Sequence, residues 1–214
     1  MSTTLFYYTG TGNSLWVARK IADELSETEL VPIANFNPDS KAITSETIGL
    51  IFPVYIWGVS APVLRFIDTL ARLKPQYLFA VATNGGQVAN TLVQLKKVLA
   101  AKNMKLNAGF SITMPSNYIP WGGPGPVEIQ QQKFSAATEK IPRIASIVKA
   151  KQTLPVENGP LWQRILYTGF YKLSFNQVPK MDGQFWVDEK CNQCEICHKV
   201  CPANNITLVE GKPV

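Results

Sequence analysis

Short, continuous apolar runs alternate along the first two-thirds of the chain with longer stretches whose apolar residues recur every three or four positions. The runs fall at 4–8, 29–33, 47–52, 77–83 and 106–113. Runs of this length without polar alternation suit parallel strands buried on both faces. Between them, Ala18, Ala22 and Leu25 form one helical stripe. Val63, Phe66, Ile67 and Leu70 form another, behind a Pro62 that suits a first helical position. Leu92, Leu95 and Leu99 make a third stripe, and Phe134, Ala137, Ile141, Ile144 and Val148 a fourth. Pro142 inside the fourth has no N–H to give and predicts a kink or break. The stretch 35–46 predicts no regular helix. Five strands alternating with helices predict an α/β fold over residues 1–150, a doubly wound, five-stranded parallel sheet.

Beyond residue 150 this rhythm stops. "KQTLPVENGP" reads as a linker. "LWQRILYTGFYKLSF" predicts a helix packed against the first domain, with a place on a membrane surface as the less favoured alternative. Residues 151–180 are therefore a linker and packing segment, and residues 181–214 a cysteine-rich tail. Within it, "LVEGKPV" reads as half of a hairpin.

Composition narrows the function classes. The chain has 214 residues, 46% hydrophobic and 17% charged, enough to bury a core without covalent staples. Its net charge is +6, but the basic residues are scattered rather than gathered in a run, so no nucleic-acid function is expected. The start, "MSTTLFYY", has no basic segment leading into an apolar one. The apolar stretch 48–67 is interrupted by Pro53, Gly58, Pro62 and Arg65, so no transmembrane segment is expected. A cytoplasmic protein is the expectation.

In a doubly wound sheet, ligands sit beyond the carboxyl ends of the strands. Three loops fall there. The first, "TGTGNS", comprises Thr9, Gly10, Thr11, Gly12, Asn13 and Ser14. It lacks the lysine of a nucleoside-triphosphate loop, and Leu15 stands where a dinucleotide loop has its third glycine. What is left is an uncharged cradle of hydroxyls and amides at a helix start, suited to a mononucleotide phosphate. The second loop carries Pro53, Val54, Tyr55, Ile56, Trp57 and Gly58, whose two aromatic rings offer flat apolar surfaces. The third carries Thr83, Asn84, Gly85 and Gly86, where small residues allow close backbone approach to a planar ligand. Taken singly, each is equally well a plain turn or ordinary packing. A fourth, "MPSNYIPWGGPGP", is long and irregular, and its Asn117, Tyr118 and Trp121 are candidates to border a ligand or a partner.

The spacing Thr9-x-Thr11-Gly12-x-Ser14 resembles the flavodoxin phosphate loop. With the strand pattern and the two later loops, residues 1–150 look like a flavodoxin-like domain. That resemblance implies FMN, its phosphate on residues 9–14, its ring flanked by Tyr55 and Trp57, and its edge at Thr83 to Gly86.

All four cysteines lie in "CNQCEICHKVCP", as Cys191, Cys194, Cys197 and Cys201 followed by Pro202. A cytoplasmic chain keeps thiols reduced, which disfavours disulfides, and zinc sites place a longer spacer between two cysteine pairs. The C-x2-C-x2-C-x3-C-P spacing is the ligand run of bacterial-type ferredoxins and points to a 4Fe–4S cluster. His198 inside it reads as a solvent-facing bystander. In two-cluster ferredoxins the fourth cysteine serves the other cluster, whose own motif lies further along; no second motif follows here. Three readings stay open. The polypeptide is a shortened form of one with two clusters, and then need not retain a cluster; or Cys201 closes a single cluster; or a three-iron cluster forms on fewer ligands.

Together the two parts resemble the flavodoxin–ferredoxin fusion proteins, with a partial ferredoxin-like segment at the carboxyl end. The resemblance implies an electron-transfer protein carrying FMN and a 4Fe–4S cluster, with redox proteins as donor and acceptor. The alternatives are an FMN-dependent reductase of a quinone or nitro compound, and a non-catalytic redox-sensing module. No acid–base pair or nucleophile stands out, and a single histidine removes histidine-based triads from consideration.

Overall fold

The computed structural model describes residues 2–34, 36–39, 43–118, 122–181, 183 and 185–214. Five strands form a single sheet: β1 (Thr3–Tyr7), β2 (Thr28–Pro32), β3 (Thr47–Pro53), β4 (Tyr77–Asn84) and β5 (Ala108–Thr113). Their order is β2-β1-β3-β4-β5 and every pairing is parallel. The apolar runs dictate this arrangement. β4 is buried along its whole length and β3 along all but its last residue, so each needs cover on both faces. The strand order reverses between β1 and β3, and the loops after these two strands flank the resulting crevice.

Strand alternation divides the core into two layers. Phe6, Leu50, Phe52 and Ala80 face α2 (Ala61–Leu73) and α3 (Thr91–Ala101). Leu5, Ile51, Phe79 and Val81 face α1 (Asn13–Leu25) and α4 (Val127–Lys149). The expected break at Pro142 does not occur, and α4 runs through it. Pro142 lies on the exposed side, where the carbonyl that loses its N–H partner faces water.

The stretch 151–160, read as a linker, lies along the open edge of β5. Leu154 N–H donates to Asn107 O, Glu157 N–H to Gly109 O and Gly159 N–H to Ala89 O. The Glu157 carboxylate accepts from Ser111 N–H and from Lys140 Nζ, at 2.6 and 2.7 Å. An exposed parallel edge would otherwise present unpaired carbonyls and amides, and this segment pairs with the carbonyls of Asn107 and Gly109 and the amide of Ser111 without forming a regular ladder. A further helix, α5 (Leu161–Ser174), follows as expected.

The tail contains one short helix, α6 (Ile196–Val200), and an antiparallel pair, β6 (Leu208–Val209) and β7 (Lys212–Pro213). The expectation of half a hairpin is thus corrected. The segment closes on itself as a whole hairpin, through Glu210 and Gly211 at φ 51° and 77°, a geometry that matches strand twist. Thr207 and Val214 exchange both backbone bonds at its open end.

Candidate functional site

The loop after β1 turns into α1 at Gly12, whose φ of 99° is left-handed and favours glycine. The first helical hydrogen bond runs from Trp16 N–H to Gly12 O. The amides of Asn13, Ser14 and Leu15 precede it and therefore have no carbonyl within the helix. No side chain caps this end and no acidic residue occupies its first turn, so the site is open to an anion. Gly12 N–H donates to Thr9 Oγ1 at 3.1 Å, which curls the loop over the helix start. Ser14 is buried, with its hydroxyl 2.8 Å from that of Thr83. The loops after β1 and β4 are thereby joined beneath the cradle.

The loop after β3 makes a tight reversal. Tyr55 and Gly58 exchange both backbone hydrogen bonds at 3.0 Å, with Ile56 and Trp57 both left-handed at φ 47° and 58°. A β-branched residue rarely adopts this conformation, so the turn stores strain and needs bracing from outside. The brace is α5. Tyr167 stacks on Trp57 at 4.3 Å between centroids and 5° between planes, while the indole N–H donates to Gln87 Oε1. Tyr171 O–H donates to Val59 O at 2.7 Å. A Cβ on Gly58 would lie 2.3 Å from the Tyr171 ring, so only glycine lets the helix approach this closely. Of the two aromatics expected to flank a ring, Tyr55 is 46% exposed at the tip, whereas Trp57 has one face committed to Tyr167. Neither bracing tyrosine was singled out from the sequence. Their spacing of four on an aromatic-rich helix was the available signal.

Thr83 and Asn84 are buried and hold the third loop from below. Asn84 donates to Ser111 Oγ at 2.8 Å and accepts from Gly86 N–H at 3.0 Å. Gly85 and Gly86 are exposed, and Gly85 O accepts from Lys133 Nζ of α4. The long segment after β5 is tied to the phosphate-type loop by two asparagines. Asn13 Nδ2 donates to Pro115 O at 2.9 Å, and Asn117 Nδ2 to Thr11 Oγ1 at 2.7 Å. Tyr118 is half exposed beside this clasp, and Trp121 lies outside the described residues.

The four cysteines are free thiols between residues 191 and 201. Gln193 and Glu195 are left-handed at φ 57° and 59°, curling the chain on either side of Cys194. Cys194 N–H also donates to Asn192 Oδ1. Four thiols at this spacing are a donor set suited to an iron–sulfur cluster. Among the described residues, no three metal-ligating side chains stand close enough together to hold an ion; Cys201 Sγ instead contacts Asn205 Oδ1 at 2.9 Å. His198 has a structural task, because its Nδ1 is 2.6 Å from Ile206 O and ties α6 to the hairpin.

This segment lies against the first domain. A cleft of about 220 Å³ has Pro202, Ala203 and Asn204 on one wall and Ile33, Phe36, Pro62 and Arg65 on the other. Tyr8, immediately before the phosphate-type loop, has its phenol pKa raised by burial and then by the nearby Cys201 thiol and Tyr55 phenol. Arg65 acts on it in the opposite sense.

Comparison with known proteins agrees with this division. The 4Fe–4S binding domain family matches residues 185–207. No curated protein matches the chain by sequence. Among solved structures, a short-chain flavodoxin associated with a non-canonical PDU bacterial microcompartment is similar, with TM-score 0.50 and 17% identity over 70% of this chain and 98% of that one. The flavodoxin of Streptococcus pneumoniae TIGR4 is similar with TM-score 0.50 and 12% identity, over 71% of this chain and 99% of that one. The fold is flavodoxin-like, and a 4Fe–4S binding domain follows it. The two findings together fit a flavodoxin–ferredoxin fusion.

Proposed function

We propose that this protein is an electron carrier that passes electrons between FMN and a 4Fe–4S cluster and onward to a redox protein. FMN supplies a centre able to take one or two electrons, and the cluster one that takes a single electron. The chain's own residues do the holding. The amides at the start of α1, with Thr9, Thr11 and Ser14, cradle the phosphate. Tyr55 offers a flat surface at the crevice between β1 and β3, the point where doubly wound sheets of this strand order take their ligand. Trp57 keeps that loop in place through Tyr167, and Thr83 to Gly86 present backbone groups toward the ring's edge. Cys191, Cys194, Cys197 and Cys201 are the cluster ligands.

The observation that carries this reading is the presence on one chain of a flavodoxin-like sheet with an uncapped helix start after β1 and of a segment that matches the 4Fe–4S binding domain family at residues 185–207. Two redox sites on one chain serve electron transfer only if they lie close together, and the cleft that Pro202 to Asn204 share with Ile33, Phe36, Pro62 and Arg65 supports this reading. The exposed Tyr55 and Tyr118 leave the crevice accessible to a protein partner. The test is anaerobic purification with assays of FMN, iron and acid-labile sulfide, followed by photoreduction. Flavin and cluster absorbance should bleach in the same sample. A protein that takes up no FMN on reconstitution would overturn the reading. The same reading places the protein in the cytoplasm.

A further inference from the structure

We propose that α5 docks this protein on an anionic membrane surface. The inference does not depend on FMN or a cluster being bound, because it rests on the outward face of that helix. At about 100° per residue, Ile165, Trp162, Leu173, Leu166 and Phe170 occupy one arc of about 140°, shared only with Gly169. All five are exposed, Ile165 at 69% and Leu173 at 78%. The opposite face is already used: Arg164 and Thr168 bond Asn90, Tyr167 stacks on Trp57, and Tyr171 bonds Val59. The helix therefore has a fixed inner face and an apolar outer face of large side chains with no charge within it.

Charge selects the occupant. From residue 159 to residue 181 the chain carries no acidic residue, and apart from Arg164, which is engaged with Asn90 on the inner face, it carries the exposed Lys172 and Lys180. A second copy would bring the same positive charges to this face, and each chain has a net charge of +6. Anionic headgroups complement it instead, and each nearby cation adds to such attraction. Trp162 and Phe170 are the kind of side chain that settles at the boundary between headgroup and acyl chain. Phe185 and Trp186, exposed at 85% and 80%, add two more aromatics after the helix. A helix of 14 residues spans about 21 Å, short of the roughly 30 Å hydrocarbon layer, so it lies in the plane of the surface. No helix among the described residues is long and apolar enough to cross a membrane. Docking in this way would hold the Tyr55–Gly58 loop within about one helix diameter, roughly 10 Å, of the headgroups.

The test is co-sedimentation of the full chain with phosphatidylcholine vesicles, alone or with about one-third phosphatidylglycerol. Binding is expected to the anionic vesicles and to fall as salt rises. The double substitution Leu166→Gln/Leu173→Gln should weaken it by at least about tenfold, and Lys172→Glu by severalfold, with thermal unfolding unchanged because all three side chains are exposed. Failure to bind anionic vesicles would overturn the proposal. So would binding that the double variant leaves intact. Concentration-dependent dimerisation abolished by the double variant, without vesicle binding, would show that a second copy covers the face instead.

Discussion

The sheet domain and the cysteine tail are held together by different physics. Phe6, Phe52 and Phe79 are fully buried between sheet and helices, and burying a side chain of this size stabilises by about 1.5–3 kcal/mol. Among the described residues from 181 onward, none is buried. The tail's order comes from turns, a two-strand hairpin and the bond between His198 and Ile206. A segment without a core gains its stability from what it binds, since a thiolate cluster converts metal affinity into folding energy. The candidate flavin loops thus rest on a packed sheet, whereas the four cysteines lie in a segment held by turns and a short hairpin.

The contrast can be broken at its strongest point. Phe79→Ala, in the centre of the sheet, should cost about 3–5 kcal/mol in denaturant unfolding. Cys194→Ser should do the reverse. It should abolish or sharply reduce iron binding, measured by the iron assay, while shifting the unfolding of the sheet domain by less than about 0.5 kcal/mol. An equal loss of stability in both variants would mean that the tail is part of the core's cooperative unit.

A smaller effect is expected where α5 meets the flavin loop. Gly58→Ala forces the Tyr171 ring from its seat and should cost about 1–3 kcal/mol. Loss of the Trp57–Tyr167 stack should appear as a change in tryptophan fluorescence. Smaller again is Ser14→Ala, which removes the buried hydroxyl that joins the cradle to Thr83. FMN affinity should fall by about 1–2 kcal/mol, or roughly five- to thirtyfold in Kd by fluorescence titration.

The last effect is silent at neutral pH. Tyr77 is buried, donates to Gln152 O at 2.7 Å, and has its pKa pushed up by burial to about 12 from 10.0. The folded state thus favours the neutral phenol. This contribution is fully present below pH 10 and is lost as pH rises from about 10 through about 12. Ultraviolet titration should show a late-ionising tyrosine that disappears in Tyr77→Phe.

Much of the fold could be read locally. The five apolar runs place five strands within one or two residues of those observed, because a strand buried on both faces leaves an uninterrupted apolar record. The candidate loops follow from the strands, since whatever succeeds β1, β3 and β4 must lie at one edge. Pro142 does not break its helix because a proline on a helix's wet side loses a bond that water replaces. That the linker 151–160 also lies along a sheet edge left no local trace, because spaced backbone bonds carry no apolar period.

The sequence by itself determined the alternation that makes a doubly wound sheet, the hydroxyl-rich loop at the start of α1, and the spacing of four thiols. Each is a local pattern, set by side chains a few positions apart. Only the tertiary structure decided that Tyr167 and Tyr171 brace the strained turn at Ile56 and Trp57, that Asn117 reaches Thr11, and that Pro202 to Asn204 share a cleft with Ile33 and Pro62. These partners are far apart in the chain. Their pairing depends on how the helices lie against a sheet that must first exist, and no local pattern records it.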